Sequence, residues 1–244
     1  MINSGERIDD LNLDGLKIIQ KINGYGFTSD SVLLANFVKT KKKDICVEIG
    51  TGSGIISVLV NYKEKPQKIY AFEIQKEAAE LAKRNVELNN MQNQIEVICS
   101  PIQNHKQFLS DGNIDVLFCN PPYFKYDRTV CGEVEEKIIS RFDKLLPLSK
   151  LFECSSKLLK FGGKMFFVYP SQRQFECFVE MKKNNLSPKR MYFVHPNNSK
   201  DSTVFLCEAV KGGKDGVVIM PPLFTNNLNG DYIETIQKLY KTNQ

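Results

Sequence analysis

The chain predicts an α/β fold: a doubly wound, mostly parallel sheet of seven strands with an antiparallel strand at its edge. Three observations lead there. From Asp44 onward, short apolar runs rich in β-branched residues alternate with segments of helical periodicity. A glycine-rich turn, Gly50-Thr51-Gly52-Ser53-Gly54, joins the first of these strands to the first of these helices. An acidic residue, Glu73, ends the next strand, about twenty residues further on. At 244 residues the chain can bury the core of one large domain. Residues 1–43 form an N-terminal hairpin and helix packing on a nucleoside-cofactor site, and residues 44–244 the main domain.

The elements follow in order. Residues 16–20 and 25–28 flank Asn23-Gly24, a pair that supplies the left-handed backbone of a two-residue hairpin turn. Thr28 or Ser29 caps a helix through Val32, Leu33, Leu34 and Val38. The basic run 39–43 ends it, where positive charge suits a helix C-terminus. Then come a strand at 45–49, a helix at 55–62, a strand at 68–72 and a long amphipathic helix at 76–89. A strand at 95–99, a short helix at 102–109 and a strand at 114–119 complete the regular part. Segment 123–142 is long, charged and contains Gly132, and reads either as a substrate-gating loop over the site or as a disordered insertion. A helix at 148–159 is expected to end on Gly162-Gly163 as its C-cap. A strand at 164–169, a helix at 174–183 and an antiparallel pair at 191–195 and 203–210 follow. Residues 231–240 carry a last helical pattern.

Composition narrows the class. No apolar run approaches the roughly 20 residues that span a bilayer, and the polar first ten residues lack a signal peptide's apolar stretch. The expectation is a cytoplasmic protein with no membrane partner, acting as a monomer. Seven cysteines, odd in number and without a C-x-x-C, argue against a disulfide framework or a zinc site, and no metal is expected. With 33 basic and 28 acidic residues the net charge is +5, which permits a polyanionic partner without demanding one.

The chemistry sits where the fourth parallel strand ends, at Asn120-Pro121-Pro122-Tyr123. An exocyclic amine on a purine is a poor nucleophile because its lone pair is delocalised into the ring. Two acceptors, the Asn120 side-chain oxygen and the Pro121 carbonyl, favour a pyramidal nitrogen as a methyl group arrives. Pro122 fixes the turn, so the acceptors are preorganised where positive charge develops. Tyr123 offers a ring face on which a base can stack once flipped from its helix. The glycine turn is spaced G-x-G-x-G, unlike the G-x-G-x-x-G that cradles a pyrophosphate. S-adenosylmethionine has no phosphate. Glu48, just before the glycines, suits its cationic aminoacyl end, and Glu73 suits its ribose hydroxyls. The residues therefore point to an S-adenosylmethionine-dependent enzyme that methylates a planar nitrogen. His105 reads as a surface residue, and His195, before Pro196, as a structural turn residue.

These motifs resemble the class I S-adenosylmethionine-dependent amino-methyltransferases with a Rossmann-like fold. More of the chain narrows the likeness: Glu6-Arg7-Ile8-Asp9-Asp10-Leu11, Ile19-Gln20, the run from Phe27 through Ser31 to Ala35, Phe193-Val194-His195-Pro196, Pro221-Pro222-Leu223 and Tyr232 are similar to the bacterial tRNA1(Val) adenine-37 N6-methyltransferase family. The resemblance implies a tRNA substrate methylated at the adenine beside the anticodon. It implies catalytic roles for Asn120, Pro121, Pro122 and Tyr123. Cofactor contacts would come from Phe27, Thr28, Glu48, Gly50, Thr51, Gly52, Gly54, Glu73, Ile74 and Asn120, with Ser100, Pro101 and Ile102 flanking the cofactor's adenine. Arg141 survives from a segment that in relatives also carries a histidine, replaced here by Phe142. Lys125, Arg128, Arg141, Arg173, Lys189, Arg190 and Lys200, with Tyr123, are candidate RNA contacts, each basic one taken singly more readily read as a solubilising charge. Two alternatives share the motifs: a glutamine-N5 methyltransferase of a release factor, and a non-catalytic RNA-binding factor that keeps the fold. Only about forty residues precede the first core strand, fewer than the helical N-terminal domain usual in the release-factor enzymes.

Overall fold

A computed structural model describes residues 2–22, 27–123 and 145–226. The chain opens with β1 (Glu6–Asp10) and β2 (Lys17–Lys21), paired antiparallel from Glu6 opposite Lys21 to Asp10 opposite Lys17. The sequence placed the partner of β2 downstream, across Asn23-Gly24. The strand pairs upstream with β1, where Asn12, Asp14 and Gly15, with φ of 54°, 48° and 81°, supply the left-handed turn residues. Residues 23–26 lie outside the described residues.

α1 (Ser29–Phe37) starts after Thr28, whose side chain makes no capping hydrogen bond. Then follow β3 (Ile45–Ile49), α2 (Ile55–Glu64), β4 (Lys68–Glu73), α3 (Lys76–Leu88), β5 (Ile95–Cys99), a 3-10 turn at Ile102–Gln107 and β6 (Ile114–Cys119). After the undescribed stretch 124–144 come α4 (Leu148–Leu158), β7 (Leu159–Pro170), a 3-10 turn at Ser171–Arg173, α5 (Gln174–Lys183), β8 (Leu186–His195) and β9 (Val204–Lys211). Two short strands, β10 (Val218–Ile219) and β11 (Leu223–Phe224), line the outer side of β8.

The main sheet runs β5-β4-β3-β6-β7-β9-β8, with β3 to β7 parallel. β9 is antiparallel to both β7 and β8. The antiparallel strand therefore lies inside the sheet, between β7 and β8, with β10 and β11 beyond β8. The crossover through α5 sets β8 two positions from β7, and the short return from β8 brings β9 into the gap. The paired glycines also differ from expectation. α4 ends at Leu158, and Gly162-Gly163 lies inside β7, where the register against β6 slips between Ile114 and Val116. A Cβ on Gly163 would lie 2.9 Å from the Lys160 carbonyl oxygen and 3.1 Å from that of Ile114, so the bulge requires glycine.

Period-two alternation divides the core between the two faces of the sheet. Cys46, Ile69, Val116, Phe118, Phe166 and Val168 face the hairpin, α1 and α2. Val47, Phe72, Leu117, Cys119, Phe167 and Phe205 face α4 and α5. The hairpin is held on α3 largely by side-chain amides. Asn85 accepts from the Ile19 amide at 2.6 Å and donates to the Ile19 carbonyl at 3.1 Å. One helical turn on, Asn89 treats Lys17 in the same way, at 3.0 and 2.8 Å. Two asparagines four residues apart thus offer β2 what a neighbouring strand would offer. Arg84 adds a bidentate pair to Glu6 at 2.7 and 2.6 Å, which holds the Glu6 carboxyl down at about 2.

His105 is not a surface residue. It is 3% exposed, with Nδ1 2.9 Å from the Ile102 carbonyl and Nε2 2.8 Å from Asp111 Oδ1. Both ring nitrogens find partners inside the 3-10 turn and its loop, which is what allows a polar ring to be buried. Among the described residues, six cysteines are free thiols, no group of three acidic, His or Cys side chains has metal-site geometry, and no helix is long and apolar enough to cross a membrane.

Candidate active site

The glycine turn, Glu73 and Asn120 all lie at the C-terminal ends of the parallel strands, the usual ligand end of an open α/β sheet. β3 and β4 pair with Ile49 opposite Phe72, and β3 and β6 with Ile49 opposite Cys119, so the three motifs leave the sheet side by side. Gly50, Gly52 and Gly54 have φ of 71°, 56° and 85°, a backbone that side chains resist. A Cβ on Gly50 or Gly52 would meet nothing within 4 Å, so open space lies over the turn. At Gly54 a Cβ would come within 3.3 Å of Ala82 Cβ, so here glycine also admits close packing of α3. Asn85 donates to the Ser53 carbonyl at 2.8 Å and ties the turn to the hairpin.

Glu73 is buried and accepts the Gly52 amide at 2.8 Å on one oxygen and the Gln75 amide at 3.0 Å on the other. Burial raises its pKa, against those two amides. Each oxygen keeps acceptor capacity beyond its amide, as recognition of two ribose hydroxyls requires. Glu48 is fully buried. Thr51 Oγ1 donates to its Oε2 at 2.6 Å, Ser57 Oγ donates to the same atom, and Oε1 has no hydrogen-bond partner. An orphaned, buried carboxylate oxygen beneath the glycine turn fits a cationic group nearby.

Burial pushes the Glu48 carboxyl up to about 7, opposed by the two hydroxyls. The unfolded chain therefore ionises here first, near 4.5, and the folded, ligand-free protein near 7. The group adds no penalty below pH 4.5. Its contribution falls as pH rises to about 7 and is level above, about 3 kcal/mol lower. Glu48→Gln is expected to remove that decline. Urea unfolding of both proteins at pH 5 and pH 8 checks it through the difference between their pH slopes.

At the Asn120-Pro121-Pro122-Tyr123 turn, Asn120 Nδ2 donates to Ser31 Oγ at 3.2 Å, and Asn120 Oδ1 takes no hydrogen bond from the described residues. Ser31 is buried in α1 and holds the NH2 end of the amide, with Oδ1 left open. Pro121 is buried, and Pro122 and Tyr123 are half-buried. Tyr123 donates its hydroxyl to Asp30 Oδ2 at 2.8 Å. Burial and the Asp30 charge hold the phenol's pKa well above its ordinary value, so Tyr123 stays a donor.

The remaining expected residues are spread more widely. Phe27 is half-buried, its amide donating to Gln20 Oε1 at 3.0 Å, and Thr28 is exposed. Ile74 is 40% exposed beside Glu73. Ser100 and Pro101 are half-buried at the end of β5, whereas the Ile102 side chain is in the core under α4. Arg173, in the 3-10 turn after β7, and Lys200, in the turn after β8, lie at the C-terminal ends of the parallel strands. Lys189 and Arg190 do not: they lie in the N-terminal half of β8, Lys189 donating to the Lys214 carbonyl and Arg190 paired to Glu208 at 2.8 Å and stacked 5.0 Å over Phe37. The sheet holds these two side chains in place, away from the strand ends. Lys125, Arg128 and Arg141 lie outside the described residues, as does loop 124–142. His195 binds the Lys200 carbonyl through Nδ1 at 2.9 Å, a turn contact. Sequence reasoning gave no separate role to Asp30, Ser31, Asn85 or Tyr169. For Asn85 a signal existed: an amide on the stripe of α3 that also carries Ala79, Ala82 and Val86.

The methyltransferase small domain family matches residues 27–187, about two thirds of the chain. The chain belongs to this family. A protein of Aliivibrio salmonicida called tRNA1(Val) (adenine(37)-N6)-methyltransferase is 25% identical over 186 residues, covering 76% of this chain and 77% of its own. One of the same name from Bacteroides thetaiotaomicron is 31% identical over 144 residues, 59% of each chain. Among solved structures, a predicted O-methyltransferase of Agrobacterium tumefaciens superposes with a TM-score of 0.68 at 19% identity, over 86% of this chain and 94% of that one. TYW2 of M. jannaschii, solved with AdoMet, superposes with a TM-score of 0.58 at 13% identity, over 86% and 89%. At such identities these structures establish the fold, a class I methyltransferase sheet, and the family match establishes a methyltransferase.

Proposed function

We propose that this methyltransferase moves the methyl group of S-adenosylmethionine to the exocyclic N6 of an adenine in tRNA, adenine 37 of tRNA1(Val). The observation that carries the reading is Asn120: its NH2 end is anchored on Ser31 and its oxygen is left open beside Tyr123, at the end of β6. The name shared by the relatives supports the substrate.

When bound, S-adenosylmethionine supplies an electrophilic methyl group on sulfur. Glu73 and the backbone of Gly50, Thr51, Gly52 and Gly54 hold its nucleoside, Glu48 offsets its positive charge, and Phe27, Thr28, Ile74, Ser100 and Pro101 border it. Asn120 Oδ1 and the Pro121 carbonyl accept the two N–H bonds of the target amine and free its lone pair for the methyl carbon. Tyr123 stacks on the base. The methylated nitrogen carries a positive charge, so its extra proton is acidic and leaves without a dedicated base or metal.

The test uses labelled S-adenosylmethionine and total tRNA from cells lacking the gene, digested to nucleosides and mapped by mass spectrometry. N6-methyladenosine at position 37 of a valine tRNA is the expected product. Label in a release factor, with none in RNA, overturns the reading in favour of a glutamine acceptor.

A further inference from the structure

Tyr123 is gripped at both ends by residues outside its own turn. Its hydroxyl donates to Asp30 Oδ2 at 2.8 Å, from the first turn of α1. Its carbonyl accepts from Arg173 Nη1 at 2.8 Å, from the 3-10 turn that follows β7. The Arg173 side chain is only 14% exposed, is paired to Glu176 Oε2 at 3.0 Å, and lies 5.1 Å over the ring of Tyr169. Tyr169, buried at the end of β7, meets the Tyr123 ring edge-on, with centroids 5.9 Å apart and planes 80° apart. A hydrogen bond at one end, another at the opposite end and an edge contact between them leave the ring little freedom to turn. Asn120 is tied to the same helix through Ser31, the residue after Asp30.

We propose that Asp30 and Arg173 are positioning residues, a two-point clamp that sets the plane of the Tyr123 ring relative to the Asn120 acceptor. Resting on the reading of Tyr123 as the stacking residue, the clamp gives Arg173 a task other than contact with RNA phosphate. Its planar fork is what lets one guanidinium serve Tyr123, Glu176 and the Tyr169 face together, and a lysine ammonium cannot reproduce that. A shift of about 1 Å in a group that positions substrate costs on the order of 100-fold in rate.

Three variants test this: Asp30→Ala, Arg173→Lys and Arg173→Ala. Each is expected to lower the single-turnover rate of methyl transfer to tRNA by about 10- to 100-fold. Affinity for S-adenosylhomocysteine and the salt dependence of tRNA binding should stay at wild-type values, and Arg173→Lys should fail as badly as Arg173→Ala. Were Arg173 a phosphate contact instead, Lys would preserve the rate and Ala would reduce the salt slope by about 0.9; that pattern overturns the clamp. A second measurement is independent of the acceptor. In 3-fluorotyrosine-labelled protein, the resonance lost in Tyr123→Phe should shift or broaden in Asp30→Ala and in Arg173→Lys. If it stays in place in both, the clamp is wrong whatever the substrate. If it moves while the wild-type protein labels no tRNA, the substrate reading fails and the clamp stands.

Discussion

Asn120→Ala is expected to lower the rate of methyl transfer by about 100- to 1,000-fold, the loss typical of one preorganised group facing developing charge. Cofactor affinity should change little, because the proposed reading assigns most cofactor contacts to the ends of β3 and β4. The size follows from the chemistry: with one acceptor gone, the target nitrogen stays conjugated into its ring. Asn120→Asp makes a sharper comparison. A carboxylate still accepts, and the Ser31 hydroxyl can turn to donate to it where Nδ2 donates at 3.2 Å. The acceptor and its anchor are kept, so the rate should fall far less than in Asn120→Ala. Single-turnover assays at saturating S-adenosylmethionine, beside calorimetric titration with S-adenosylhomocysteine, check both statements. Full activity in Asn120→Ala would remove this residue from the mechanism.

Glu73 carries the second large effect, on binding and not on the chemical step. Glu73→Gln is expected to weaken S-adenosylhomocysteine affinity by about 10- to 100-fold, in line with the roughly 1.5–3 kcal/mol of a hydrogen bond to a charged group. The carboxylate accepts the Gly52 amide at 2.8 Å and the Gln75 amide at 3.0 Å, one on each oxygen. A glutamine has one acceptor oxygen, so its NH2 must confront one of those N–H donors. The conservative replacement should therefore be nearly as harmful as Glu73→Ala. The same titration on both variants, with Asn120→Ala as the control that keeps affinity, separates loss of binding from loss of chemistry.

Much of the main sheet was legible because its signals are local. Strand and helix periodicities from Ile45 to Cys119 recur in the structure nearly residue for residue. The positive φ of Gly50, Gly52 and Gly54 is what a glycine-rich strand-to-helix turn implies. What escaped depends on pairing at a distance. β2 chose Glu6–Asp10 as its partner, over a turn built from Asn12, Asp14 and Gly15, although Asn23-Gly24 is the stronger two-residue signal. Gly162-Gly163 looked like a helix cap, but the need was a close approach to the Ile114 carbonyl in the next strand. The place of β9 between β7 and β8 follows from the order of the sheet, which no stretch of sequence displays.

At the site, residue types were readable and their partners were not. Asn120 and Tyr123 announce themselves as a turn of unusual composition. Their restraints, Ser31, Asp30 and Arg173, lie 89, 93 and 50 residues away in the chain. His105 shows the converse. Its polar neighbours suggested exposure, and only the fold brings Asp111 and the Ile102 carbonyl to its two nitrogens.

The central claim is that the exocyclic amine of an adenine in tRNA accepts the methyl group. The most direct measurement is transfer from labelled S-adenosylmethionine to two versions of full-length tRNA1(Val), one with adenosine at position 37 and one with purine riboside, which lacks the amine. Label on the first alone, recovered after digestion at neutral pH as N6-methyladenosine, is the predicted result. Equal label on the purine riboside RNA, or recovery as a ring-methylated adenosine, would contradict it.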